Sequence, residues 1–185
     1  MAFVVVYDAS ALYPNAQRDL LIRIAQAGLV QAKWTTEIIE EMARARLRRK
    51  PDLDPARLDR LKALINHSVP DCLVFGYQQL IEGLKLPDPD YRHILAAAIH
   101  SGAQVIVTAN VRDFPADDLA DFNIEAKTPD DFVLDQIGID DRVIFACVQD
   151  IANCRTSPHT AQDILVELEN NGLVASVAAL RSPRS

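Results

Sequence analysis

Phe3-Val4-Val5-Val6-Tyr7-Asp8-Ala9-Ser10-Ala11-Leu12 is the stretch on which the fold turns. Its first five residues are apolar and β-favouring without a polar interruption, the pattern of a strand covered on both faces. Such a strand belongs mid-sheet. Gln104-Val105-Ile106-Val107 is a second run of the same kind, introduced by Gly102 and ended by Thr108-Ala109-Asn110. The segments between them read mostly as helices. Residues 18–27 carry Leu20, Leu21, Ile24 and Ala25 at helical spacing and stop at Gly28. A short extended piece follows over 29–34. Thr35-Thr36 then caps a helix that Pro51 ends, and Asp54-Pro55 opens another with Leu58, Leu61, Leu64 and Ile65 on one face. Residues 71–84 are apolar and predict a further helix. Ile94-Leu95-Ala96-Ala97-Ala98-Ile99 is too alanine-rich for a strand and suits a tightly packed buried helix. Residues 123–126 supply another strand, Pro129 starts a helix, and from Asp140 onward there are two or three helices and no strand. Strands separated by helices argue for right-handed βαβ units and a parallel sheet. Residues 181–185 read as a frayed end.

The chain has 185 residues, 49% of them apolar, which suffices for one substantial core and argues against disorder. No stretch approaches the roughly 18 apolar residues of a membrane span, and no basic leader precedes the first strand. The expectation is a soluble, cytoplasmic protein without a membrane partner. Cys72, Cys147 and Cys154 are odd in number and lack zinc-ligand spacing, so they are expected to be reduced core thiols. With 26 acidic and 19 basic residues the net charge is −7, which disfavours nucleic-acid binding through a broad basic surface. A nucleic-acid substrate therefore needs local compensation.

In an open parallel sheet, ligands gather beyond the carboxyl ends of the strands. Asp8 leaves the first strand there, and Thr108, Asn110 and Asp113 leave the second. On the helix after Trp34, Ile38, Ile39 and Met42 face the core, which sets Glu41 on the flank of that face, with Glu40 as the alternate. Asp88 and Asp90 precede the alanine-rich helix, whose N-terminus favours anions. Taken singly, each acid has a plainer role as a cap or a solvated residue. Their convergence is what carries chemistry. Carboxylates about 5–6 Å apart repel by about 3 kcal/mol per pair at an effective dielectric of 20, and a divalent cation relieves that. Oxygen ligands point to Mg²⁺ or Mn²⁺, ions suited to phosphodiester hydrolysis. His67, His93, His100 and His159 show no ligand spacing, and His93 is expected to be a hydrogen-bonded structural residue.

Four segments, 6–12, 35–42, 86–98 and 106–115, carry a family resemblance in their order and spacing. Most specific are Leu86-Pro87-Asp88-Pro89-Asp90-Tyr91-Arg92-His93 and Ile106-Val107-Thr108-Ala109-Asn110-Val111-Arg112-Asp113-Phe114-Pro115. Over residues 3–132 the chain resembles the PIN-domain ribonucleases, in particular the toxin half of VapBC-type toxin–antitoxin pairs. The resemblance implies a PIN-like three-layer α/β/α fold with a short parallel sheet. The nuclease domain spans 1–135 and a C-terminal helical extension 136–185. It further implies a metal-dependent endoribonuclease with an RNA substrate, a cognate antitoxin and a homodimeric state. Asp8, Glu41 and Asp113 take the positions of metal-site acids, with Ser10, Thr108 and Asn110 as polar supports. At the fourth position, where close relatives have aspartate, stands Tyr91, whose phenol is protonated at neutral pH with a reference pKa of about 10. Asp90, or else Asp88, takes over that role; or three acids suffice; or the chain is impaired. Tyr91 predicts reduced activity.

Arg44, Arg46, Arg48, Arg49 and Lys50 follow the Glu40-Glu41 pair on one helix and suit phosphate backbone, as well as a solvated face. Arg92 and Arg112, beside the acidic motifs, are placed to steady a scissile phosphate. Trp34, Phe114 and Tyr13 are read as core rather than base-stacking residues. Two other classes compete. One is a catalytically inactive PIN-like module that binds antitoxin or RNA, and Tyr91 favours it. The other is a phosphoaspartate hydrolase of the haloacid dehalogenase type, which needs an acid where Ser10 stands.

Overall fold

The computed structural model describes residues 3–182, so the last part of the tail expected to fray, residues 183–185, lies outside the described residues. Four strands form one parallel sheet in the order β2-β1-β3-β4: β1 (Phe3–Tyr7), β2 (Val30–Lys33), β3 (Val105–Val107) and β4 (Glu125–Lys127). As its composition predicted, β1 is internal. Val5, Val6 and Tyr7 are all buried, as are the successive Ile106 and Val107, so both faces of the central strands are covered.

Strand register decides which residues leave the sheet together. Val6 pairs with Lys33 across one edge of β1, and Tyr7 pairs with Val107 across the other. Val107 in turn pairs with Lys127. The central strands therefore end side by side, and the Asp8 amide donates to the Val107 carbonyl at 3.0 Å.

Helices fill the connections: α1 (Ala9–Leu12), α2 (Asn15–Gln26), α3 (Thr36–Arg49), α4 (Pro55–Ser68), α5 (Arg92–Ser101) and α6 (Ala116–Leu119). Thr35 caps α3 by accepting from the Ile38 amide, and Asp54 caps α4 ahead of its first-position proline. Ala96, Ala97 and Ala98 of α5 have no exposed surface; their small side chains let α5 pack closely on β1 and β3. Gly102 ends α5 in the left-handed conformation, φ 67°, which costs glycine little. Tyr7 anchors the core by stacking near Trp34 (centroids 6.3 Å) and meeting Phe132 edge-on (5.9 Å), while its hydroxyl donates to the Leu21 carbonyl.

Residues 71–84 depart from the expected helix. Leu73 makes an isolated parallel bridge to Trp34, and only Gln78–Gly83 turns, as a 3₁₀ segment. Gly76, at φ 78°, lies inside that stretch, and the Trp34 and Val74 backbones are bonded instead to each other and to Cys72. Sheet-like backbone pairing thus overrode an apolar pattern that fits either state. Cys154 also departs from expectation: all three cysteines are free, but only Cys72 and Cys147 are buried.

Three helices close the chain, α7 (Pro129–Asn153), α8 (Ala161–Asn170) and α9 (Val174–Arg181). Helix α7 bends at Asp140 (φ −155°, ψ 92°), whose side chain caps the second half through the Arg142 and Val143 amides. Asp130 in the first turn of α7 accepts from the Ala175 and Ser176 amides and so caps α9 from across the bundle. α7 packs against α2, α8 and α9. The architecture is an α/β fold with a four-stranded parallel sheet and a C-terminal helical region.

Candidate functional site

Asp8 is both the first residue past β1 and the N-cap of α1. Its side chain is 2% exposed and fully engaged. Oδ1 accepts from the Ala9 amide at 2.6 Å, and Oδ2 accepts from Ser10 Oγ and Thr108 Oγ1, both at 2.7 Å. The adjoining ends of β1 and β3 make this possible, since residue 108 follows the partner of residue 7. Ser10 Oγ also accepts from the Ala109 amide, and Thr108 Oγ1 accepts from the Asn110 amide. Burial pushes the Asp8 carboxyl up, the three donors pull it down, and the charge of Glu41 raises it further. The balance lies above the ordinary carboxylate value.

In front of Asp8 opens a cleft of about 610 Å³, whose walls include Ser10, Glu41, Asp88, Asp90, Tyr91 and His93. Glu41 reaches it from the exposed flank of α3. Glu40 turns instead to α4, where Lys62 meets it at 2.9 Å. Asp88 and Asp90 come from the turn before α5, and Asp88 is committed there as the cap that accepts from the Asp90 amide. Asn110 lines the cleft and also a smaller adjoining pocket, formed with Ala109, Val111, Arg112 and Asp113. Asp113 thus stands next door rather than on the main wall.

Tyr91 lines the same cleft. Its side chain is packed edge-on against the buried Phe114 (5.4 Å between centroids). Burial, and after it the charges of Asp113, Asp8, Asp88 and Glu41, push its phenol above the ordinary value. Three of these, Asp8, Glu41 and Asp113, are acids that the sequence pattern put forward as metal-site candidates.

Among the arginines, Arg44 and Arg48 line the cleft, one helical turn apart on α3. Arg46, Arg49 and Lys50, from the same run, line a separate groove with Arg18, Arg57 and Arg60. Arg112 borders the Asp113 pocket. Arg92 does not line the cleft; its Nε is buried without a hydrogen-bond partner among the described residues. Trp34 and Phe114 are core residues, whereas Tyr13 is half-exposed at the cleft with Arg46 over its ring.

His93 is the residue the sequence undervalued. It is 6% exposed, and its ring is held between two acids of α3. Nε2 lies 3.0 Å from Glu41 Oε1 and Nδ1 lies 3.6 Å from Glu37 Oε2. Burial alone would lower its pKa; contact with Glu41 and the charges of Glu41, Glu37 and Asp8 raise it on balance. The usable signal was helical phase: Glu37 and Glu41 share one face of α3 at a spacing of four.

The structure thus sets carboxylates at the C-terminal edge of a parallel α/β sheet that is followed by a helical region. Residues 129–182 match the family described as VapC50 C-terminal domain. Over 97 residues the chain is 40% identical to "Putative ribonuclease VapC50" of Mycobacterium tuberculosis; the match covers 50% of this chain and 57% of that protein. No solved structure matches significantly. The chain spans little more than half the length of this relative.

Proposed function

We propose that this protein is a divalent-metal-dependent endoribonuclease that hydrolyses RNA phosphodiester bonds as the toxin of a toxin–antitoxin pair in the cytoplasm. The observation that carries the reading is the buried Asp8 carboxylate, fixed by three donors at the head of a cleft shared with Glu41, Asp90 and Tyr91. A carboxylate held so rigidly beside other acids is costly by itself and is relieved by a hard cation. The donor set fits such an ion: carboxylates from separate elements converge on one cleft. Asp8, Glu41, Asp90 and Asp113 are proposed to hold Mg²⁺ or Mn²⁺. When bound, that ion supplies Lewis-acid stabilisation of charge on the phosphate.

The chain's own residues do the rest. Ser10 and Thr108 hold Asp8 in one rotamer, and the Thr108–Asn110 link fixes the loop that carries Asp113. Arg44 and Arg48 offer guanidinium groups to phosphates flanking the cut, which offsets the net negative charge locally. Arg112 serves the Asp113 side, and Arg92 is proposed to support the turn before α5. The nuclease unit is assigned to 1–135 and the helical extension to 136–185, close to the bend at Asp140. Exposed Ile139, Val166 and Val174 support an antitoxin or homodimer surface on that extension. No helix among the described residues is long and apolar enough to cross a membrane.

A second reading, an inactive PIN-like module, is favoured by one feature, the neutral phenol of Tyr91 among four acids. Mn²⁺-dependent cleavage of a labelled RNA separates the two. The nuclease reading expects cleavage by the parent chain, none by Asp8→Asn, and an increase in Tyr91→Asp. Absence of cleavage by both the parent and Tyr91→Asp would overturn it in favour of the module.

A further inference from the structure

Beside the acidic cleft runs a groove of the opposite charge. It encloses about 720 Å³ along α2, α3 and α4, and among the described residues its lining carries seven cations against one acid, Asp19, in a chain whose net charge is −7. Four of the seven are engaged within the protein. Arg18 and Arg46 donate to the Tyr13 carbonyl at 3.4 and 3.0 Å, Arg155 donates to Glu167 at 3.0 Å, and Arg60 lies 4.0 Å from Asp54. Arg49, Lys50 and Arg57 are exposed, and no hydrogen bond or ion pair engages their side chains among the described residues. Like charges in one concavity repel, and a bound polyanion relieves that repulsion while giving up its own counterions. Leu61 and the exposed Leu64 line the same groove, so its occupant meets apolar surface as well as charge.

We propose that this groove holds single-stranded RNA outside the acidic cleft, as a second binding surface for the strand whose scissile phosphate lies in the cleft. The two spaces are continuous in their lining. Tyr13 borders both, and α3 presents Arg44 and Arg48 to one and Arg46, Arg49 and Lys50 to the other. A backbone that leaves the cleft past Tyr13 therefore passes from one set of guanidinium groups to the next. At that junction Arg46 lies over the Tyr13 ring, 5.7 Å from its centroid, a cation–ring surface of the kind on which unpaired bases stack. A single strand suits the groove better than a duplex, because Leu61 and Leu64 can meet base faces that a duplex keeps stacked inside. Guanidinium–phosphate contacts supply affinity here without reading sequence. The groove depends on the nuclease reading only for the cut made in the cleft; its hold on RNA stands or falls without it.

The probe is a fluorescein-labelled single-stranded RNA of about 12 nucleotides, titrated with the full chain in EDTA and followed by fluorescence anisotropy. Without metal no cut is made, and the acidic cleft repels the strand, so the binding that remains reports the groove. Arg49→Gln combined with Arg57→Gln should weaken binding about 10-fold at about 0.1 M salt and flatten the log–log salt slope by about 1.4, or 0.7 for each lost phosphate contact. Both positions are exposed, so the fold should be kept, and circular dichroism checks it. Arg49→Lys with Arg57→Lys should retain most of the affinity. Arg142→Gln, an exposed cation of α7 outside the groove, should change neither affinity nor slope. Equal affinity and slope in the parent and the Gln double variant would overturn the groove whether or not RNA is cut. A polyglutamate of similar charge that displaces the RNA at equal or lower concentration would overturn it in favour of an acidic protein segment. Groove-dependent binding by a parent that cleaves no RNA with Mn²⁺ would support the groove and sink the nuclease reading alone.

Discussion

Tyr91→Asp perturbs the neighbouring acids most directly, and its cost should shrink when metal is added. The substitution removes an edge-on contact with Phe114, worth about 0.5–1.5 kcal/mol beyond area burial. It also adds a negative group to a neighbourhood that already holds Asp113, Asp8, Asp88 and Glu41. A single neighbour at about 5.5 Å contributes roughly 3 kcal/mol of repulsion at an effective dielectric of 20, less in a cleft open to water. A net loss of about 1–3 kcal/mol without metal follows. For a chain of this length that lowers Tm by roughly 2–12 °C in EDTA. Mn²⁺ at a hundred times its Kd returns about 2.7 kcal/mol to whichever form binds it. Differential scanning calorimetry of both proteins, with EDTA and with a Mn²⁺ series, reads the two effects separately. The variant should be the less stable protein in EDTA and gain more from Mn²⁺ than the parent. Equal stability in EDTA together with equal Mn²⁺ gains would mean that residue 91 does not sit among the carboxylates, and the reasoning would fail.

Thr108→Val removes a buried hydroxyl that donates to Asp8 and accepts from the Asn110 amide, so urea unfolding should show a loss of about 1–3 kcal/mol. An unchanged midpoint would remove Thr108 from the support of Asp8. Asp130→Ala strips the carboxylate cap from α9 and should cost about 1–2 kcal/mol, with hydrogen exchange accelerating first in Val174–Arg181; uniform exchange would contradict the cap. Hydrogen bonds from the Thr160 amide and hydroxyl hold the Asp163 carboxyl below its ordinary value. A depressed folded-state pKa contributes stability above the unfolded value near 4 that is lost as pH falls through the folded one. The Tm difference between the parent and Asp163→Ala should therefore shrink below about pH 4, and a difference that persists at pH 2 would exclude this cause.

Much of the fold was legible because its determinants are local. Uninterrupted apolar runs at β1 and β3 announced central strands, Thr35-Thr36, Asp54-Pro55 and Pro129 announced helix starts, and triple alanine announced a helix packed against the sheet. Residues 71–84 were not legible, because a short apolar stretch fits helix and extended backbone equally until a neighbour such as Trp34 offers bonds. Asp8, Ser10 and Thr108 could be anticipated as companions, since strand-end position is readable from sequence and parallel pairing brings strand ends together.

What the sequence determined by itself was the order of elements and which carboxylates leave strands or flank helix faces, because periodicity and caps are properties of adjacent residues. Only the tertiary structure set Glu41 on the cleft wall and Glu40 against Lys62, since that depends on where α4 lies. It likewise split one arginine run between two grooves and set His93 against Glu37 and Glu41. Those outcomes arise from contacts across long sequence separations, where burial and the charge of a distant neighbour outweigh anything the flanking residues encode.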